Sequence, residues 1–222
     1  MVKIDHIIRT KRKSIALIVE PDGRLVVRAP MRVSEADIKH LVKQKERWIR
    51  EKQKQVKEKS TQPTPKVYMD GESFQYLGKS YKLKIVADLN PALVLSRKFY
   101  LSRRALPKAE SVFTEWYREQ ARAVISERVK LYAAKHGFKY RKIRITSART
   151  RWGSCSEMGN LNFTWRLVMA PPEVIDYVVV HELTHLRVKN HSKEFWNQVE
   201  CIMPNYKQRR RWLKEYGQIL TL

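Results

Sequence analysis

Residues 171–192 read PPEVIDYVVVHELTHLRVKNHS. The run is almost wholly apolar to Val180, then carries three histidines and a glutamate. Pro172 suits the first turn of a helix, where its missing N–H is not needed. Val174, Ile175, Val178 and Val179 follow at helical spacing. On such a helix His181 and His185, four residues apart, share one face, and both imidazoles can reach one metal ion at roughly 2.0–2.1 Å. Glu182 is turned about 100° around the axis. Its carboxylate can flank the metal and take a proton from a metal-bound water whose pKa has fallen toward ~7. His191 comes six residues after His185. Asn190 is expected to adopt a left-handed conformation that ends the helix and brings His191 round to the metal. Three protein ligands with an open position is the pattern of catalytic zinc, and four closed ligands that of structural zinc. The alternative is three ordinary packing histidines, but then a charged Glu182 on an apolar helix would be costly without a role.

Working outward, residues 160–169 alternate. Leu161, Phe163, Trp165, Leu167 and Met169 point one way, and Asn162, Thr164 and Arg166 the other, which predicts one half-buried strand after a turn at Met158-Gly159-Asn160. Residues 142–147 and 152–156 are shorter strand candidates. A long amphipathic helix is expected over 111–137, with Phe113, Trp116, Tyr117, Ala121, Val124, Ile125, Val129 and Tyr132 on its core face and Gly137 as its cap. Beyond the motif, Ser192 opens a helix stopped by Pro204, and a basic helix over about 206–216 follows. Nearer the N-terminus, residues 14–20 and 24–28 flank Pro21-Asp22-Gly23 and read as a hairpin. Ser34 opens a helix with Asp37 placed for a capping box; Ile38, Leu41, Val42, Trp48 and Ile49 form its apolar side. Residues 60–66 carry two prolines and read as a linker. Residues 71–85 and 93–101 add β-rich segments. This pattern divides the chain into a β-rich region with one helix, 1–108, and a domain over 109–222.

The 222 residues can bury a sizeable core, and the hydrophobic share of 43% is ordinary. The charge is not: 46 Lys plus Arg against 22 Asp plus Glu give +24. Such an excess attracts nucleic acid or nucleotides, although a solvated basic surface explains it equally well. Lys207, Arg209, Arg210, Arg211 and Lys214, interleaved with Trp212 and Tyr216, concentrate this charge on the last helix. Two cysteines, Cys155 and Cys201, make no disulfide framework. With neither a signal-peptide core nor an apolar window of membrane-spanning length, a cytoplasmic protein with no membrane partner is expected. Cys155 is read as a small buried residue rather than a ligand, and Cys201 as core. Asp176, Glu194 and Glu200 are candidate acceptors for the ligand imidazoles. Arg151 and Arg166 are candidates for oxyanion or phosphate binding, with surface solvation as the alternative. No substrate-binding residue or oligomeric state can be read.

Arg151-Trp152-Gly153-Ser154-Cys155, the run NLNFTWRLVMAPPEVIDYVVVHELTHL, and Asn190-His191-Ser192 with Phe195-Trp196 together resemble the YgjP-like metallopeptidase family. The likeness extends to GESFQYLGKSYKL and SEADIKHLVKQKERWI, so it covers most of the chain. The resemblance implies an α+β, zincin-like fold with a small sheet over an active-site helix. It implies zinc held by His181, His185 and His191, and Glu182 as catalytic base. The family is similar to SprT-type proteases, which act on proteins crosslinked to DNA, and its members are also described as UTP pyrophosphatases. The His spacing also fits the metzincin pattern, but Val188 stands where that pattern requires Gly. The expected function is zinc-dependent hydrolysis of a peptide or protein. The alternatives are nucleotide pyrophosphatase activity, for which no P-loop is present, and a non-enzymatic nucleic-acid-binding protein.

Overall fold

A computed structural model of the chain describes residues 2–12, 14–20, 22–58 and 66–222. It forms two compact units, Met1–Thr64 and Pro65–Leu222. Of the expected linker 60–66, residues 60–65 lie outside the described residues, as does Pro21 of the first turn.

The first unit is built on three strands, β1 (His6–Thr10), β2 (Ala16–Val19) and β3 (Leu25–Pro30). β3 is central, antiparallel to β2 as the hairpin reading expects and parallel to β1, which that reading missed. Helix α1 (Glu35–Gln44) starts where Ser34 accepts from the Asp37 N–H at 3.1 Å, and α2 (Glu46–Glu58) follows after a break at Lys45. Ile38, Val42 and Ile49 pack with Leu25, Val27 and Ala29 into one core. Trp48, expected on the apolar side, is instead exposed.

In the second unit β4 (Ser73–Tyr76) and β5 (Lys79–Val86) form a hairpin, and β6 (Leu93–Leu95) and β7 (Phe99–Ser102) complete a sheet ordered β4-β5-β7-β6. Helix α3 (Ala109–His136) ends on Gly137 at φ 67, the left-handed cap that glycine adopts without a Cβ clash. A boundary at 108/109 therefore does not divide the molecule. β4–β7 share a core with α3: Phe74 stacks on Phe113 at 4.2 Å, and the buried Tyr117 hydroxyl donates to the Gln75 carbonyl at 2.6 Å. Removing this sheet would expose that aromatic face of α3.

The second sheet of this unit comprises β8 (Lys142–Thr146), β9 (Gly153–Cys155) and β10 (Asn160–Thr164), ordered β8-β10-β9. β10 stops at Thr164 instead of running to Met169. Trp165–Met169 is a 3-10 turn in which Trp165, Leu167, Val168 and Met169 are all buried. Alternation fails there because successive residues, Leu167, Val168 and Met169, are all buried. Trp165 stacks on Tyr117 at 5.8 Å, while the Val168 and Met169 carbonyls accept from Leu77 and Gly78 N–H at 2.9 and 3.1 Å. Helix α4 (Pro172–Thr184) follows, then α5 (Lys193–Ile202) and α6 (Tyr206–Tyr216). Among the described residues no helix is long and apolar enough to cross a membrane. The observed class is mixed α+β, with β9, one of the two edge strands of its sheet, packed against α4.

Candidate metal centre

α4 is buried almost all round, as its composition dictates. It delivers His181 near its end and His185 at its C-cap. The turn beyond is not made by a left-handed Asn190; the only non-glycine residues at positive φ among those described are Tyr68 and Leu77. The helix ends earlier, at Thr184, and Asn190 works through its side chain, whose oxygen accepts from the Ser192 N–H at 3.2 Å. Ser192 then caps α5 by accepting from Phe195 N–H. These two caps place His191 opposite α4, and one ring nitrogen from each of His181, His185 and His191 lies within 4.8 Å of the others.

Phe195 forms the floor. Its ring is fully buried and lies 4.9, 4.5 and 4.8 Å from the rings of His181, His185 and His191. Sequence reasoning placed Phe195 only as context; its i+3 position from the cap Ser192 is the signal that could have found it. Orientation of His185 comes from the backbone. Its Nδ1 lies 3.0 Å from the Val188 carbonyl. A carbonyl only accepts, so Nδ1 carries the proton and Nε2 keeps a free lone pair. None of the carboxylates expected in this role supplies it: Asp176 faces Arg128 at 3.6 Å, Glu194 pairs with Gln198, and Glu200 with Lys207.

The donor set fits a metal ion. His181 Nε2 and His191 Nε2 lie 3.0 Å apart, close to the roughly 3.3 Å that two nitrogens have around a tetrahedral zinc. Burial, reinforced by His185, His191 and Arg210, depresses the His181 pKa to about 3, and burial likewise lowers His185. Both shifts favour the neutral imidazole, the form that coordinates.

Glu182 is 5% exposed, and its Oε2 has no hydrogen-bond partner. Burial raises its pKa to about 8, against a smaller lowering by Arg151. The close partner is Gly153 on β9: a Cβ there would lie 2.6 Å from Glu182 Cγ and Oε1. Any larger residue would have to displace the carboxylate. His181 and Glu182 open into a cavity of ≈ 330 Å³ with Trp152, Tyr177, Val178 and three α6 residues, Arg210, Leu213 and Lys214. The other candidates fall outside the cluster. The Cys155 sulfur contacts the Ser156 carbonyl and its thiol is pushed up by burial, while Cys201 is exposed rather than core. Arg166 sits over Trp165 and donates to the Ser147 carbonyl at 3.2 Å, which makes it a brace for the loop before β9.

The family model "YgjP-like, metallopeptidase domain" matches residues 13–216. No curated protein matches the chain. Among solved structures it is similar to the crystal structure of the metallopeptidase zymogen abylysin of Pyrococcus abyssi, at 21% identity and a TM-score of 0.38, over 42% of this chain and 95% of that one. The chain belongs to the YgjP-like metallopeptidase family.

Proposed function

We propose that this member of the YgjP-like family is a zinc-dependent peptidase, with the metal held by His181, His185 and His191 and Glu182 acting as general base. The observation that carries the reading is the convergence of three imidazoles beside a buried carboxylate whose Oε2 has no hydrogen-bond partner. An all-imidazole donor set with an open side suits zinc. When bound, the ion supplies Lewis-acid chemistry, acidifying water and polarising the scissile carbonyl. Glu182 Oε2 takes a proton from the attacking water and returns it to the nitrogen of the leaving amine. Burial favours the exchange, because it brings the carboxyl group toward the operating pH. Gly153 keeps the carboxylate against the edge strand, and Phe195 keeps the three rings in register.

The test is metal content followed by paired assays. Purified protein should carry about one zinc per chain, lost in His181→Ala. The zinc-loaded protein should cleave peptides, and Glu182→Gln should not. Cleavage of UTP in place of peptides, with the same Glu182 dependence, would transfer the site to the phosphoanhydride alternative. Metal-free wild-type protein that cannot be reconstituted would remove both readings.

A further inference from the structure

The cavity beside His181 and Glu182 has a wall that the hydrolytic chemistry leaves unused. It comes from α6, where residues 210, 213 and 214 share one helix face that Gly217, the C-cap, continues. Arg210, Leu213 and Lys214 line the cavity, and Leu213, Lys214 and Gly217 continue into an adjoining hollow of ≈ 280 Å³. Neighbouring cations of the helix are engaged elsewhere: Lys207 lies 3.0 Å from Glu200 and Arg209 3.9 Å from Glu173. Arg210 has no carboxylate partner within 4.0 Å among the described residues. Its guanidinium lies 4.6 Å from the Trp196 ring centre. Trp196 is itself stacked on Tyr206 at 5.3 Å and on His191 at 5.7 Å. An aromatic stack therefore links the position of this cation to the histidine cluster. Trp152, Tyr177, Val178 and Leu213 supply apolar wall around it.

We propose that Arg210 makes this cavity a specificity pocket for a carboxylate of the peptide substrate, either an acidic side chain beside the scissile bond or the free chain terminus. The inference rests on the peptidase reading. A planar guanidinium can grip a carboxylate with two parallel hydrogen bonds, and the apolar walls suit the methylenes that carry it. The cavity's own carboxylate, Glu182, is outnumbered by Arg210 and Lys214. Within the cavity itself only Arg210 and Lys214 carry positive charge, fewer than the run of phosphate sites that a nucleic-acid backbone would need.

The experiment uses zinc-loaded protein and peptides that differ only in Glu against Gln at the residues flanking the scissile bond, each with a free or an amidated terminus. Wild type should favour the carboxylate form by about tenfold or more in kcat/KM. The terminal pair tells a side-chain pocket from a chain-end pocket. Arg210→Ala should bring the ratio close to one, Arg210→Lys should restore part of it, and Arg210→Glu should shift preference toward a Lys peptide. Peptide binding to zinc-loaded Glu182→Gln protein gives a readout without turnover: adding Arg210→Ala should weaken the Glu peptide and not the Gln peptide. An unchanged Glu-to-Gln ratio in Arg210→Ala, or an oligonucleotide that displaces the Glu peptide from the cavity, overturns the pocket assignment. Failure of zinc-loaded wild type to cleave any peptide overturns the peptidase reading instead, while the binding arm still judges Arg210.

Discussion

Helices α4 and α6 line one cavity and are built by opposite rules. α4 is apolar nearly all round, and the two polar groups it turns to the cavity have their pKa values shifted chiefly by burial: His181 falls to about 3 and Glu182 rises to about 8. α6 is charged nearly all round, with Tyr206 its only buried residue. Its cations stay in solvent and act by position, one face turned to the cavity and others paired outward. In the proposed mechanism reactivity is assigned to the buried helix, where low polarity magnifies every charge. Selectivity is assigned to the exposed helix, where a long side chain reaches its ligand with little desolvation cost.

The contrast can be broken or sharpened experimentally. Glu182→Gln keeps the shape of α4 and removes the proposed base, so kcat should fall by about 10²–10⁴-fold with zinc content unchanged. Retained activity would mean that burial of this carboxylate serves packing alone. Gly153→Ala acts on the same carboxylate from the neighbouring strand, through its Cγ and Oε1. Its Cβ has no room, and kcat should fall by up to about 100-fold with the metal still bound.

Stability should separate the helices just as clearly. Ile175→Ala in α4 empties a fully buried site and should cost about 2–5 kcal/mol in denaturant unfolding, whereas Arg211→Ala on α6 should stay within about 0.5 kcal/mol. Equal losses would erase the distinction. The smallest expected effect is a slope. Asp176 on α4 has its pKa raised by burial, more than Arg128 lowers it. A raised folded-state value means that the folded protein binds the extra proton. The associated stability is complete below the unfolded carboxylate pKa of about 3.9 and is lost as pH rises through the folded value. Unfolding free energy of wild type should therefore decline relative to Asp176→Asn as pH climbs out of the acid range. Parallel pH profiles for the two proteins would show that the Arg128 pairing cancels the burial.

Much of α4 was legible because its information is local. His181 and His185 stand four residues apart, and helix geometry alone places them on one face. Ser34, Ser192, Gly137 and Pro172 marked helix ends through equally local chemistry. The alternation from Leu161 to Met169 misled, because a strand pattern and an enclosed 3-10 turn contain the same apolar residues. The expected boundary at 108 failed for a related reason: nothing near Phe74 announces that its partner is Phe113.

The sequence by itself determined that His181, Glu182 and His185 ride on one helix and that Ser192 starts the next, since each depends on spacing within one or two helical turns. Only the tertiary structure decided that His185 is oriented by the Val188 carbonyl, a backbone group that no residue type encodes. It also decided that Glu182 rests against Gly153, that Phe195 lies beneath all three rings, and that Arg210 alone among the arginines of α6 lines the cavity. Each of these is a contact between segments whose meeting is set by the packing of the whole core, and a helix does not specify by its own sequence what will cover each of its faces.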